Sequence, residues 1–355
     1  MPVPALEFTH RRSRTDKREV RVFKLAKHGM YRSAAGRNPL KMTPLPMSRF
    51  LAAFVLCMLI APPRADAQTP PDHLRIGAAP VEVGALVYYA QDEGFFKKAN
   101  LDVEIVAAAN GPAIAAAVAS GTVDVGSGNA LSIAQAHEKG LNFVFVAPSG
   151  AYTTASPTAA CVVAKASPVH VAKDLNGKTI AVATLGSLGE ISMRAWLDQN
   201  GADLSTIKFV EMPYSAMDTA IVAGRVEAAA MEEPALDKLL ASDGRMLAHC
   251  YDAIAKDFSE GGYFATSDYV KAHLDVIRRF AAVMSQAARW ANANQSITAK
   301  ILEKYTGVAI ADQAHRVYYQ DKLDPAKIQP LVNAAAKYGT LKAVFPASDI
   351  MAQGL

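Results

Sequence analysis

The sequence predicts an α/β protein of two successive sheet-forming units, with a helical tail that returns to the first. Short apolar runs alternate with helical segments over residues 74–147, and the alternation restarts at Cys161. Beyond Thr266 the apolar residues shift to a 3.6-residue period. Strands separated by helices of about 10–15 residues build βαβ units and a parallel sheet.

In the first unit, residues 74–78, 102–107, 123–126 and 142–147 read as strands. Residues 84–93 form a helix stopped by Gly94, a second helix runs from Pro112 to Gly121, and a third spans 130–139. The second unit has strands at 161–165, 179–183, 208–211, 227–231 and 245–250, with helices at 187–199, 215–223 and 234–241. A strand at 263–266 follows Gly261-Gly262, and everything after it reads as helical. Val270, Leu274, Ile277, Ala281, Met284 and Ala288 share one helix face, with Ser267 as the expected N-cap. Segments 149–157 and 258–262 are the expected crossovers. Lobe I is then residues 74–155 and 262–355, and lobe II is residues 156–261.

Ahead of these units, Met47-Ser48-Arg49 leads into twelve mostly apolar residues, 50–61. Pro62-Pro63 breaks the run and Ala65-Asp66-Ala67 follows. A positive start, an apolar centre and an A-x-A site define an expected signal peptide at 47–67, cut before Gln68. The run is shorter than the ~20 residues a bilayer requires. Cys57, flanked by Val55-Leu56 and Met58, sits in no lipobox. Residues 1–46 read as an upstream or disordered extension, and the expected location is the periplasm.

The net charge of +4 conceals an uneven distribution. Residues 1–46 hold eleven Lys/Arg against three acidic residues, whereas from Gln68 onward 24 Lys/Arg face 29 Asp/Glu. The remainder is acidic, so whole-chain basicity makes no case for nucleic acid.

Five motifs occur in order. Gly94-Phe95-Phe96-Lys97-Lys98 with Leu101-Asp102-Val103-Glu104 comes first, then Ala119-Ser120-Gly121-Thr122-Val123-Asp124-Val125-Gly126. Asp174-Leu175-Asn176-Gly177-Lys178-Thr179-Ile180-Ala181-Val182, Ala223-Gly224-Arg225-Val226-Glu227-Ala228-Ala229 and Glu233-Pro234 follow. With them the chain resembles the periplasmic binding proteins of nitrate/sulfonate/taurine ABC importers, a group that includes binders of thiamine-pyrimidine precursors. The resemblance implies a two-lobed type II fold, each lobe a mixed sheet of order 2-1-3-n-4 in which n is the crossover strand. It implies a monomer that captures a small sulfonate, nitrate, carboxylate or pyrimidine-type solute and delivers it to a membrane permease with its ATPase. It calls for no cofactor, no metal and no nucleic acid. The same fold hosts menaquinone-pathway lyases and a pyrimidine-precursor synthase, which supply the enzyme alternative; the synthase's cysteine-rich segment is missing here. Within the motifs, Asp124 is expected to bond backbone, and Phe95 and Phe96 to join the core.

Ligands of open α/β sheets bind beyond the carboxyl ends of the strands. That rule selects the loops at 79–84, 110–112, 127–129, 149–154, 184–188, 213–217 and 232–233. Several open helices, where free N–H groups and the helix dipole face outward. None contains Lys or Arg, while Glu82, Glu232 and Glu233 are present. The expected ligand contacts are Asn110, Ser127, Asn129, Ser187, Tyr214 and Glu232, with Tyr152 as a cleft wall. An acidic group facing the cleft would call for a ligand with a donor such as an amino or amidine group. No HxxxH, G-x-S-x-G or phosphate-loop motif occurs, and no catalytic residue is assigned. In the family's sheet order the strand beginning near Cys161 runs antiparallel beside the strand ending at Cys250. A disulfide between them is expected, with two buried free thiols as the alternative.

Overall fold

The computed structural model describes residues 70–108, 110–233, 235–307, 310 and 315–355. The expected signal peptide and the extension before it lie outside the described residues.

The first-unit strands are β1 (Asp72–Ala78), β2 (Leu101–Ala107), β3 (Val125–Asn129) and β4 (Phe143–Pro148). After β5 (Gly150–Thr153) come β6 (Ala159–Ala164), β7 (Thr179–Val182), β8 (Lys208–Glu211), β9 (Ala228–Glu232) and β10 (Gly244–Ala248). The chain returns through β11 (Asp257–Ser259) and β12 (Gly261–Thr266), and β13 (Tyr318–Tyr319) lies in the tail. One sheet has the order β2-β1-β3-β12-β4 and another the order β10-β6-β9-β7-β8. Counted from β7, the second sheet repeats the first, so both have the order 2-1-3-n-4. In each, the crossover strand is antiparallel to both neighbours: β12 to β3 and β4, β6 to β9 and β10.

Composition explains the layering. β6, β7 and β9 are nearly continuous apolar runs because each is covered on both faces. Met193 and Leu197 of helix Leu188–Gln199 pack with Cys161 and Ile180 on one face. Met217, Ala220 and Ile221 of helix Tyr214–Val222 pack with Val162 and Ala229 on the other. In the first sheet, Leu74 and Ile76 meet Phe280 and Met284 of the tail helix Leu274–Ala293. The opposite face gathers Ile114, Val118 and Phe264 with Ile328 and Leu331 of helix Pro325–Lys337. Each of the Val, Leu, Ile, Phe and Met side chains among these contributes about 1.5–3 kcal/mol by leaving water. Gly126 permits the close seating of helix Gly111–Ala119 on β3, since a Cβ there would lie 2.6 Å from the Ile114 side chain. Phe95 and Phe96 are core residues, and Asp124 accepts the Arg75 backbone N–H at 2.8 Å while pairing with its guanidinium.

The crossovers differ from the expected loops. β5 pairs antiparallel with β11, setting Tyr152 opposite Phe258, and β13 joins the other edge of β5. This small third sheet is the ribbon between the two larger ones. It also corrects the all-helical reading of the tail. β3 runs on to Asn129 because Gly261–Phe264 of β12 pairs along it, so Ser127-Gly128-Asn129 belongs to the strand. The N-cap before the tail helices is Thr266, whose hydroxyl accepts the Tyr269 N–H at 3.2 Å, and not Ser267. The helix breaks at His273, giving Ser267–Ala272 and Leu274–Ala293 as separate pieces.

Candidate functional site

The carboxyl ends of the two large sheets enclose a cleft of about 520 Å³. Ala79 and Gly84 after β1, Gly111 and Pro112 at a helix start, and Ser127 and Asn129 at the end of β3 line it from the first sheet. Residues 184–188 after β7 and Glu232 at the end of β9 line it from the second. Glu260, between β11 and β12, lines the ribbon side.

Several of the backbone donors near this cleft have partners within the chain. The Asn129 side chain accepts the Ser132 N–H at 2.7 Å, and Asn110 accepts that of Ala113 at 3.0 Å. Ser187 caps helix Leu188–Gln199 by accepting the Glu190 N–H at 3.4 Å. Glu190, buried and paired with Arg194 at 2.6 Å, accepts the Gly186 N–H at 2.7 Å. Glu211 accepts the Leu185 N–H at 3.0 Å. The loop after β7 therefore spends its N–H groups on two of the chain's own carboxylates, which complement the positive helix end. Gly186 makes that loop possible, with φ of 75° in the left-handed region.

Two acidic groups remain on the lining. Glu232 accepts the Tyr251 hydroxyl at 2.5 Å, and its charge also acts on the Tyr214 phenol. Burial, reinforced by the Glu232 charge, holds both tyrosines far above the ordinary phenol range. Burial and the Glu232 charge push the Glu260 carboxyl up to about 8. Its Oε2 is buried without a hydrogen-bond partner among the described residues. No Lys, Arg or His is among the described residues lining the cleft.

Four expected contacts, Ser127, Asn129, Ser187 and Glu232, lie on the lining. Asn110 stands beside it, on the surface, with its side chain committed to capping. Tyr152 is not a cleft wall. It is fully buried in the ribbon against Tyr251 and Phe258, and its hydroxyl donates to Asp252 at 2.8 Å. The alternation of β5 turns it inward, a direction hidden while 149–157 read as a loop. Tyr214 is half-buried and off the lining, within reach of the Glu232 charge. Glu82 also leaves the cleft, forming an ion pair with the buried Arg316. Glu260 escaped the sequence reading because it sits in an assumed spacer; a lone carboxylate between Phe258 and Gly261-Gly262 was its only signal.

Glu233, Asp237 and His315 each bring one ligand-type atom to within 4.8 Å of the others, off the cleft lining. Glu233 accepts the Asp237 N–H at 3.0 Å, and His315 lies 3.5 Å from Asp237. Burial pushes the Glu233 carboxyl up to about 7. Asp237 is half-buried and His315 exposed, and acidic groups near a surface commonly cluster in this way without an ion. Cys161 and Cys250 are joined in a disulfide, with Cα atoms 5.7 Å apart.

A family model described as NMT1/THI5 like matches residues 83–296. No curated protein matches the chain by sequence. The periplasmic aliphatic sulphonate binding protein SsuA of Escherichia coli superposes with a TM-score of 0.67 at 21% identity, over 80% of this chain and 99% of that one. The alkanesulfonate-binding protein SsuA of Xanthomonas axonopodis pv. citri, bound to MOPS, gives 0.61 at 20% identity, over 80% and 99%. The desulfurization enzyme DSZB gives 0.56 at 14% identity, over 79% and 97%. These likenesses show the periplasmic-binding-protein fold.

Proposed function

The chain belongs to the NMT1/THI5-like family, and from that premise we propose that it is the exported solute-binding component of an ABC importer. The observation that carries this reading is the cleft between the carboxyl ends of two sheets of identical order, joined by the β5–β11 ribbon. A volume of about 520 Å³ suits one small molecule held between lobes I and II, residues 74–155 with 262–355 and residues 156–261. Hinged closure then removes the solute from water and presents the closed form to a permease. A micromolar importer component needs about −8 kcal/mol of binding free energy, which a few charged hydrogen bonds supply after association costs.

The fold alone admits an enzyme, as the likeness to DSZB shows. Two of the cleft hydroxyls are engaged within the chain, which supports binding over catalysis by them: Ser187 serves as a helix cap and Ser149 donates to the Val83 carbonyl. Calorimetry combined with small-angle scattering tests the reading. One solute per chain, a smaller radius of gyration on binding and recovery of the solute unchanged are expected. Chemical conversion of the bound solute would transfer the protein to the enzyme class.

A further inference from the structure

We infer that the cleft takes a small organic cation, an ammonium, amidinium or guanidinium, whose N–H groups bridge the Glu232 and Glu260 carboxylates. This rests on the solute-binding reading above and adds the charge class of the solute.

Three independent features converge on it. The first is charge: the described lining carries two carboxyls and no basic side chain. A sulfonate or nitrate placed there would meet the Glu232 carboxylate, with no cation beside it, in a site partly removed from water where repulsion is poorly screened. The second is the donor supply. The Leu185 and Gly186 N–H groups of the loop before helix Leu188–Gln199 are bonded to Glu211 and Glu190, which sets two further carboxyl side chains beside that helix start. The third is the unmet acceptor. Glu260 Oε2 is buried with no hydrogen-bond partner among the described residues, and such a group is costly to leave unpaired. A charged N–H donor satisfies it.

The geometry also ties recognition to closure. Glu232 ends β9 of the second sheet, whereas Glu260 lies on the ribbon just before β12 of the first. A bridging cation would link the two bodies that must approach each other. Tyr251 holds Glu232 by its hydroxyl, so the carboxylate is oriented before the solute arrives.

Proton balance follows from the same pair. The titratable groups acting with Glu260 are Glu232 on β9, Tyr152 on β5, Tyr214 at a helix start and Tyr251 after β10. With the cleft empty below about pH 8, Glu260 holds its proton. An arriving cation favours the charged carboxylate, so binding releases up to about one proton to the buffer.

The test sets two panels of probes against the purified protein by thermal unfolding, with hits measured by calorimetry. One contains putrescine, agmatine and benzamidine; the other contains MOPS, butanesulfonate, acetate and nitrate. Stabilisation by a cation is expected, with affinity falling about tenfold to a hundredfold in Glu232→Gln and in Glu260→Gln. Calorimetry near pH 6.5 in buffers of different ionisation enthalpy should report proton release that disappears in Glu260→Gln. Unfolding of each ligand-free variant establishes that it is folded. Binding confined to the anions overturns the charge assignment while leaving the solute-binding reading intact. Cation binding at unchanged affinity in both variants overturns it too, and a panel with no hit of either sign counts against both readings.

Discussion

Arg316, in the C-terminal tail, pairs with Glu82 in the loop after β1, 234 residues earlier in the chain. The guanidinium is almost fully buried and also donates to the Gln295 carbonyl at 3.0 Å and the Thr298 hydroxyl at 3.3 Å. Burial outweighs the Arg316 charge and holds the Glu82 carboxyl above its ordinary range. The pair therefore fastens the tail to the loop that opens the cleft.

Removing one member of such a pair leaves the other buried and uncompensated. Arg316→Met is expected to destabilise the protein by about 3–5 kcal/mol, whereas Glu82→Gln with Arg316→Met should recover part of that loss. Denaturant unfolding of the two single variants and the double variant measures the coupling. Strictly additive losses would show that the pair is not a unit.

Tyr152 makes a contrasting prediction, because it supports the ribbon and touches no part of the cleft lining. Tyr152→Phe removes the hydroxyl that donates to Asp252 and should cost about 1–3 kcal/mol. The affinity for a bound cation should stay at the wild-type value. A large affinity loss with unchanged stability would return Tyr152 to the cleft.

Tyr152 also marks where local sequence stops being informative. The alternation of apolar runs with helices carried both large sheets, since buried parallel strands such as Thr179–Val182 and Ala228–Glu232 must be continuously apolar. β5, β11 and β13 have four, three and two residues, too short to display a period, and they exist through pairing with distant partners. The same divide runs through the cleft. Ser127, Asn129, Ser187 and Glu232 could be placed by the strand-end rule, because each closely precedes or caps an element visible in the sequence. Glu260 could not, since its place depends on how two segments about a hundred residues apart form one ribbon.

The disulfide gives a direct chemical prediction. Cys161 lies on β6 and Cys250 just after β10, closing a loop across 89 residues. In the chain-entropy account such a loop contributes about 4–5 kcal/mol. Thiol titration after denaturation without reductant should find only Cys57 free in the full chain, and no thiol in protein cut before Gln68. Reduction should lower the unfolding midpoint, and recovery of two additional thiols without reductant would rule the bond out.

The last prediction concerns pH and follows from Glu260 and Glu233. Their carboxyls are pushed up to about 8 and about 7 by burial, from an ordinary value of 4.5. Across that window the folded chain keeps protons that the unfolded chain has released. Stability rises with pH only where the unfolded state binds more protons, so here it must fall as pH increases. The empty protein should therefore lose thermal stability between about pH 5 and about pH 8. Asp174 and Asp198, whose carboxyls are depressed by hydrogen bonds, act at more acidic pH and do not reverse this slope. Glu260→Gln should flatten the upper part of the decline and Glu233→Gln the lower part. A saturating cation should flatten the upper part as well, by stabilising the charged form of Glu260. A midpoint that rises across this range in the wild type, with the same slope in Glu260→Gln, would mean that this carboxyl is already ionised in the empty cleft.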